Sequence, residues 1–199
     1  MHPKPLFRQE DHDACRKLVN DIAFGMVFQT TPDGPRVAHT PLLWSGDETL
    51  RFHLSRGNAL THHLAGATAL VTVNGPDGYI SARWYSDRKT VPTWDYVALE
   101  MEGRVSALTE PELDAFLYDL IDLHETRLGG SPWRASEAGE ALWKQQLTGI
   151  RGFELQVETW RPTFKLSQKR TVEERKTIAQ GLADADRPAL AHAMREQAL

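Results

Sequence analysis

Apolar and polar residues alternate along several short stretches of this chain, and in a few others they recur every three or four positions. Alternation puts successive side chains on opposite faces of a strand, whereas the longer period lays an apolar stripe along a helix. Ala14, Leu18 and Ile22 share one stripe, which predicts a helix from Asp11 to about Asn20. Phe24 to Thr30 reads as a strand, Thr31-Pro32-Asp33-Gly34-Pro35 as a turn, and Arg36 to Trp44 as the returning strand of a hairpin. After a turn at Ser45-Gly46-Asp47-Glu48, the residues Leu50, Phe52 and Leu54 fall on one face of the next strand. Asn58 is placed to cap a helix that reaches about Leu64. Ala67 to Val73 and Tyr79 to Arg83 read as strands joined by a turn at Asn74-Gly75-Pro76-Asp77-Gly78.

The second half repeats these signals at greater length. From Thr93 to Leu108 one parity carries Val97, Leu99, Met101, Gly103 and Val105, which predicts a single long strand bent near Gly103. Leu113, Phe116, Leu117, Leu120, Ile121 and His124 recur at helical spacing, with Thr109 and Glu112 in capping-box positions before them. Ser136 to Leu147 reads as a further helix. Gly149 to Trp160 reads as a strand that buries Phe153, Leu155 and Val157. Thr171 caps a helix over Val172 to Leu182, and Asp186, with Pro188 in the first turn, caps another that runs to the end. Six or seven strands in hairpin and meander order, with helices at the edges, define an α+β chain built on an antiparallel barrel. No G-x-G-x-x-G or G-x-x-x-x-G-K-S/T segment occurs, which leaves Rossmann and P-loop readings without their phosphate loops.

Bulk properties narrow the function classes. At 199 residues the chain is one domain, or one domain with a small appendage, and 41% hydrophobic residues suffice for a core. No apolar run approaches the roughly 18 residues of a membrane span, and the start of the chain lacks an apolar signal segment. A single cysteine, Cys15, fits a reducing cytoplasm. The net charge is −4, and no basic block exceeds Lys169-Arg170, which argues against strong non-specific DNA binding. His62 and His63 are neighbours whose side chains would point about 100° apart on a helix, so they form no chelate. No H-E-x-x-H or C-x-x-C supports zinc, and Cys15 has no evident histidine partner.

Four segments carry candidate chemistry. In Ala38-His39-Thr40-Pro41-Leu42, Pro41 lacks an N–H and marks a sheet edge or bulge. In Phe52-His53-Leu54-Ser55-Arg56-Gly57-Asn58, a strand runs into the predicted helix start. There unpaired N–H groups and the Arg56 guanidinium would suit a phosphate. The third combines Tyr79-Ile80-Ser81-Ala82-Arg83-Trp84-Tyr85 with Val91-Pro92-Thr93-Trp94-Asp95-Tyr96, a density of amphipathic rings and hydroxyls suited to a planar ligand or a subunit interface. The fourth is Trp160-Arg161-Pro162-Thr163-Phe164-Lys165-Leu166-Ser167-Gln168-Lys169-Arg170, which is otherwise a basic, solvated linker.

These segments resemble the PaiB-like FMN-binding split-barrel family, whose members carry Y-I/V-S-P-x-W-Y, V-P-T-W-N-Y and K-L-S-Q-N-R. This chain reads YISARWY, VPTWDY and KLSQKR, departing at Ala82, Asp95 and Lys169. The resemblance covers about residues 1–183, with residues 184–199 as an additional C-terminal helix. It implies an FMN-binding split β-barrel with flanking helices, a homodimer, and two flavin sites between subunits. By resemblance His39, Thr40, Pro41 and Leu42 run along the flavin edge. Ser55, Arg56 and Asn58, with His53 nearby, hold the phosphate. Ser81, Trp84, Tyr85, Lys89, Thr93 and Trp94 line the site or the interface, and Lys165 and Gln168 reach the flavin. A lysine beside the ring would stabilise reduced flavin by Coulomb attraction. No residue stands out as an essential acid or base. Members are described as negative transcriptional regulators of sporulation and protease genes, so a DNA-binding or protein-interaction regulator without flavin is the alternative to a flavoprotein. Haem binding, which some split-barrel relatives show, ranks last because none of the eight histidines sits in a haem pattern.

Overall fold

A computed structural model describes residues 2–197. Its strands are β1 (Phe24–Thr31), β2 (Gly34–Pro41), β3 (Leu43–Trp44), β4 (Thr49–Ser55), β5 (Thr68–Ile80), β6 (Thr93–Ala107) and β7 (Ile150–Lys165). They form one sheet in the order β2-β1-β5-β6-β7-β4-β3. The helices are α1 (His12–Ile22), α2 (Glu110–Leu128), α3 (Glu140–Thr148), α4 (Val172–Asp184) and α5 (Pro188–Glu196). The predicted α+β class and strand count therefore hold. The chain divides into two compact units: Met1–Leu18, Val73–Glu100 and Arg161–Leu199 in one, Val19–Thr72 and Met101–Trp160 in the other.

In the unit made of 19–72 and 101–160, β1 and β2 pair from Phe24–Pro41 to Thr31–Gly34, which leaves a two-residue loop. Gly34, at φ +100°, takes the left-handed turn position that side chains resist. β4 pairs antiparallel with β7, and the directly opposed Phe52 and Phe153 stack with ring centroids 5.5 Å apart. Fully buried Val27, Leu50, Val71, Met101 and Leu155 extend this core. Over it α2 lays Leu113, Phe116 and Leu120, which pack with Leu43, Leu108, Leu147 and Ile150. The capping box forms as expected: the Glu112 carboxylate accepts from the Thr109 N–H at 2.7 Å.

The other unit has its own core. Ile80 and Val97 meet Ile178, Ala179 and Leu182 of α4 and Leu190, Ala191 and Met194 of α5. Thr171 caps α4 by accepting from Glu174 N at 3.2 Å. Gly181 gives Trp84 the space to lie against α4, since any Cβ there would overlap the indole.

Several expected boundaries are corrected. Asn74–Gly78 is not a turn but the middle of the unbroken β5. Its glycines serve packing instead, Gly75 against Leu18 and Val97, Gly78 against Leu190 and Leu182. The return strand over 36–44 breaks at Leu42, whose N–H makes the last rung of the hairpin to the Ala23 carbonyl at 3.1 Å before Leu43 turns to pair with β4. No helix forms over 58–64. The predicted helix over 136–147 is a short 3-10 turn, Ala135–Ala138, followed by α3, because Gly139 at φ +76° separates them. Beyond Trp160, β7 continues to Lys165, so the first part of the supposed linker is strand. Asp186 lies at φ +58° and Arg187 precedes α5 without a side-chain cap. The end of the predicted last helix, residues 198–199, lies outside the described residues.

Gly103 explains how two long strands run side by side. The strand β6 passes through it unbroken, and a Cβ there would land on the Gln156 carbonyl of β7. Gly103→Ala should therefore destabilise the protein by at least about 2 kcal/mol, read as a lowered urea midpoint. An unchanged midpoint would show that β7 yields.

Candidate functional site

The predicted site residues fall into two groups, one in each unit. In the first group, β2 is an edge strand, as Pro41 suggested. His39 is exposed there and stacks on Phe24 at 6.4 Å. Thr40 and Leu42 are buried, so neither presents its side chain to a ligand at the surface. The Thr40 hydroxyl donates to the His53 carbonyl at 2.6 Å and ties the end of β2 to β4. His53 packs edge-on against Phe116 at 6.0 Å. Burial holds its pKa below the ordinary imidazole value, which keeps the ring neutral near pH 7.

Where β4 ends, the expected helix is replaced by successive turns. The side chains that would cap a helix satisfy the turn backbone instead. Asn58 Oδ1 accepts from Leu60 N at 2.9 Å, and Thr61 Oγ1 donates to the Ser55 carbonyl at 2.7 Å. Leu60, Thr61 and Leu64 are buried and anchor the loop. No helix stands at Asn58, so no helix dipole serves a phosphate there. Arg56 remains. Its N–H donates to the Gly149 carbonyl at 2.9 Å, and its Nε donates to the Thr148 carbonyl at 2.7 Å, at the C-terminal end of α3. Arg56, Lys144 and Arg151 line one cavity of about 450 Å³, whose apolar wall includes Leu108, Leu113 and Leu147 and whose rim carries Glu110. Lys144 also pairs with Glu140 at 2.6 Å. Sequence reasoning found Arg56 but missed Arg151, which joins it through the β4–β7 register, and Lys144, which comes with α3 as Arg56 bonds the helix end.

The second group surrounds a buried carboxylate. Asp95 is fully buried, and Ser167 donates to its Oδ2 at 2.6 Å. Lys165 Nζ stands 3.6 Å from Oδ1, donates to Thr93 Oγ1 at 2.6 Å, and also contacts the Trp94 carbonyl. Burial pushes the Asp95 pKa above the usual carboxylate range, against the opposing pull of Ser167 and Lys165. Trp94 is half exposed, bonded through Nε1 to Asp77 and set edge-on to Tyr79. Tyr85 is buried beneath the Arg170 guanidinium, 3.7 Å above its ring. Three predicted contacts have partners within the fold, and a fourth is exposed. Ser81 Oγ accepts from Arg83 N, and Trp84 packs on Gly181. Lys89 is exposed on a loop where its N–H bonds Asp87. Gln168 accepts from Leu166 N and donates to the Phe164 carbonyl, closing the turn after β7.

Asp95 was noted in the sequence only as a departure, yet a signal for it existed. It shares the inward parity of Val97, Leu99 and Met101 in β6, and a carboxylate on that face requires buried partners.

A sheet of seven antiparallel strands with flanking helices is the architecture of the split β-barrels that bind flavins. A family model described as "Putative FMN-binding domain" matches residues 1–159, and the chain belongs to this PaiB-like FMN-binding family. It is 29% identical over 192 residues to protease synthase and sporulation protein PAI 2 of Bacillus subtilis (strain 168), covering 94% of this chain and 92% of the relative. Among solved structures it resembles the FAD and heme binding protein of Mycobacterium smegmatis, with a TM-score of 0.62 at 18% identity over 84% of this chain and 78% of that one. It also resembles a flavocytochrome of Azotobacter vinelandii, with a TM-score of 0.58 at 18% identity over 82% and 72% of the two chains. Both structural likenesses are likenesses of fold.

The raised pKa of Asp95 has a pH consequence. The folded protein keeps this proton to higher pH than the unfolded chain does. Stability is therefore lost as pH rises from about 4, the unfolded carboxylate value, through the raised folded value. Asp95→Asn should match the wild type in urea unfolding near pH 4 and gain on it as pH rises to 7. A variant that falls behind as pH rises would show that Lys165 overcompensates burial.

Proposed function

We propose that this protein is a homodimeric flavoprotein that binds FMN, with the flavin-binding barrel over residues 1–183 and the last helix as an addition. The observation that carries the reading is the convergence of Arg56, Lys144 and Arg151 on one cavity, at the strand end where the family resemblance puts the phosphate. Arg56 and Arg151, with Lys144 shared with Glu140, stand against Glu110 and suit an anionic phosphate, and the leucine wall suits an apolar ring system, so the residues present fit the cofactor. Arg56 is held at its Nε by Thr148, which orients the guanidinium without a carboxylate partner among the described residues. Exposed His39 and half-buried Pro41 on the edge strand are the side chains of their segment available to the ring. Thr40, Leu42 and His53 position that edge. When bound, FMN supplies the redox chemistry.

Half-exposed Tyr79 and Trp94, with the more exposed Val91, give the apolar surface that a second subunit would cover. The name of the Bacillus relative links it to protease synthesis and sporulation, and a flavin-dependent regulator of this kind is the role we carry over, with oxidoreductase activity as the enzymatic form of the same site. No helix among the described residues is long and apolar enough to cross a membrane. Cys15 is buried, with its thiol pushed up to about 11, as suits a cytoplasmic protein without reactive thiols.

Titration of FMN fluorescence should give saturable quenching by the wild type. Arg56→Ala should bind about ten- to hundredfold more weakly, the loss of one charge-assisted contact, with Arg56→Lys between them. Wild-type protein that leaves FMN fluorescence unchanged would refute the reading.

A further inference from the structure

Helices α2 and α3 face each other across a cavity of about 580 Å³, and its whole wall lies within the unit made of 19–72 and 101–160. Glu110, Asp114 and Tyr118 recur every fourth residue on α2, and Glu140, Trp143 and Leu147 fall at helical spacing on α3, so one face of each helix lines the space. A different face of α2 carries Leu113, Phe116 and Leu120 into the core. α3 has no fully buried residue, and its half-buried Trp143 and Leu147 are what lie against α2.

Two aromatic rings and one carboxylate meet in this wall. The Trp143 and Tyr118 ring centroids are 5.2 Å apart and the planes are inclined at 46°, so the pair forms a wedge rather than a closed stack. The Trp143 indole N–H donates to Asp114 Oδ1 at 2.6 Å. That bond fixes the ring, and because the donor is neutral the charge of the carboxylate stays in place. Among the described residues no cation pairs with Asp114. Lys144, the one cation of the wall, is held by Glu140 at 2.6 Å. Glu110, Lys144 and Leu147 also line the cavity of Arg56, so they do not distinguish this site, whereas Asp114, Tyr118 and Trp143 do.

An aromatic face attracts a cation through its quadrupole, and a desolvated cation gains most. A carboxylate without a counter-ion adds Coulomb attraction. Both requirements are met by an organic ammonium ion, whose alkyl groups pack on the rings while its charge faces Asp114. A hard divalent metal needs several oxygen ligands instead, and among the described residues no three His, Cys, Asp or Glu side chains are grouped to hold one. The wall carries three carboxylates against one ammonium, the reverse of the charge balance around Arg56.

We propose that this cavity binds a small quaternary or N-methylated ammonium compound, its cationic head against the Trp143 and Tyr118 rings and beside Asp114. The inference does not rest on the flavin reading, and each can fail without the other.

Isothermal titration of the full chain with choline, and with its uncharged isostere 3,3-dimethylbutan-1-ol, tests it. Choline should bind the wild type about fivefold or more tightly than the alcohol does. Asp114→Asn keeps an oxygen to accept the indole N–H and removes only the charge, and Tyr118→Leu removes a half-exposed ring from a helix that leucine suits. Each should weaken choline about fivefold or more, with a thermal midpoint and an FMN affinity matching the wild type. A wild type that takes up no choline, or takes up the alcohol as tightly, overturns the proposal. Unchanged choline affinity in either folded variant overturns the placement. Loss of FMN together with choline in Asp114→Asn would make the two cavities one site and overturn a separate ammonium site.

Discussion

Two long strands can lie side by side here only because Gly103 offers no side chain to the Gln156 carbonyl. That approach fixes β7 against β6, and β7 in turn templates β4 residue by residue, from Thr49–Gln156 to Ser55–Ile150. The register continues past the strand ends, where the Arg56 N–H meets the Gly149 carbonyl. Arg56 therefore stands beside Arg151 and the end of α3 as a consequence of strand pairing rather than of a local motif. At its other end the same strand delivers Lys165 to Asp95.

Polar groups are buried sparingly, and those that are buried join chain segments. The Thr40 hydroxyl ties the end of β2 to the His53 carbonyl, and Ser167 and Lys165 meet the Asp95 carboxylate from the end of β7. Ser167 sits at φ +56°, a conformation that a non-glycine residue adopts only when its surroundings over-determine it. An acidic chain thus presents two concave clusters of cations, Arg56, Lys144 and Arg151 in one unit and Lys4, Lys165, Lys169 and Arg170 in the other. Neither is evident from net charge.

Much of the fold was legible in the sequence because hydrophobic periodicity is a local signal. The hairpin β1–β2, the long parity of β6 and the capped helices α2 and α4 all formed as their patterns predicted. The failures share a cause. Asn74–Gly78 carries turn residues, but its glycines answer to Leu18, Val97, Leu182 and Leu190, which are distant in sequence. Asn58 looks like a helix cap, but its Oδ1 accepts from the Leu60 N–H two residues on, and the backbone continues in separate three-residue turn bonds rather than a helical ladder. The site was half legible for the same reason. Arg56 could be singled out at a strand end, whereas Arg151 joins it only through the β4–β7 register and Lys144 only through the contact of Arg56 with the end of α3. Trp84 and Gln168 looked like ligand contacts because rings and amides do both jobs. Their partners within the fold are Gly181 for one and Leu166 with Phe164 for the other.

The most direct measurement is a crystal structure of the protein grown with FMN. The account predicts a flavin whose phosphate lies within hydrogen-bonding distance of the Arg56 guanidinium, in the cavity shared with Lys144 and Arg151. A phosphate seated elsewhere, with Arg56 bonded only to Thr148, would contradict it.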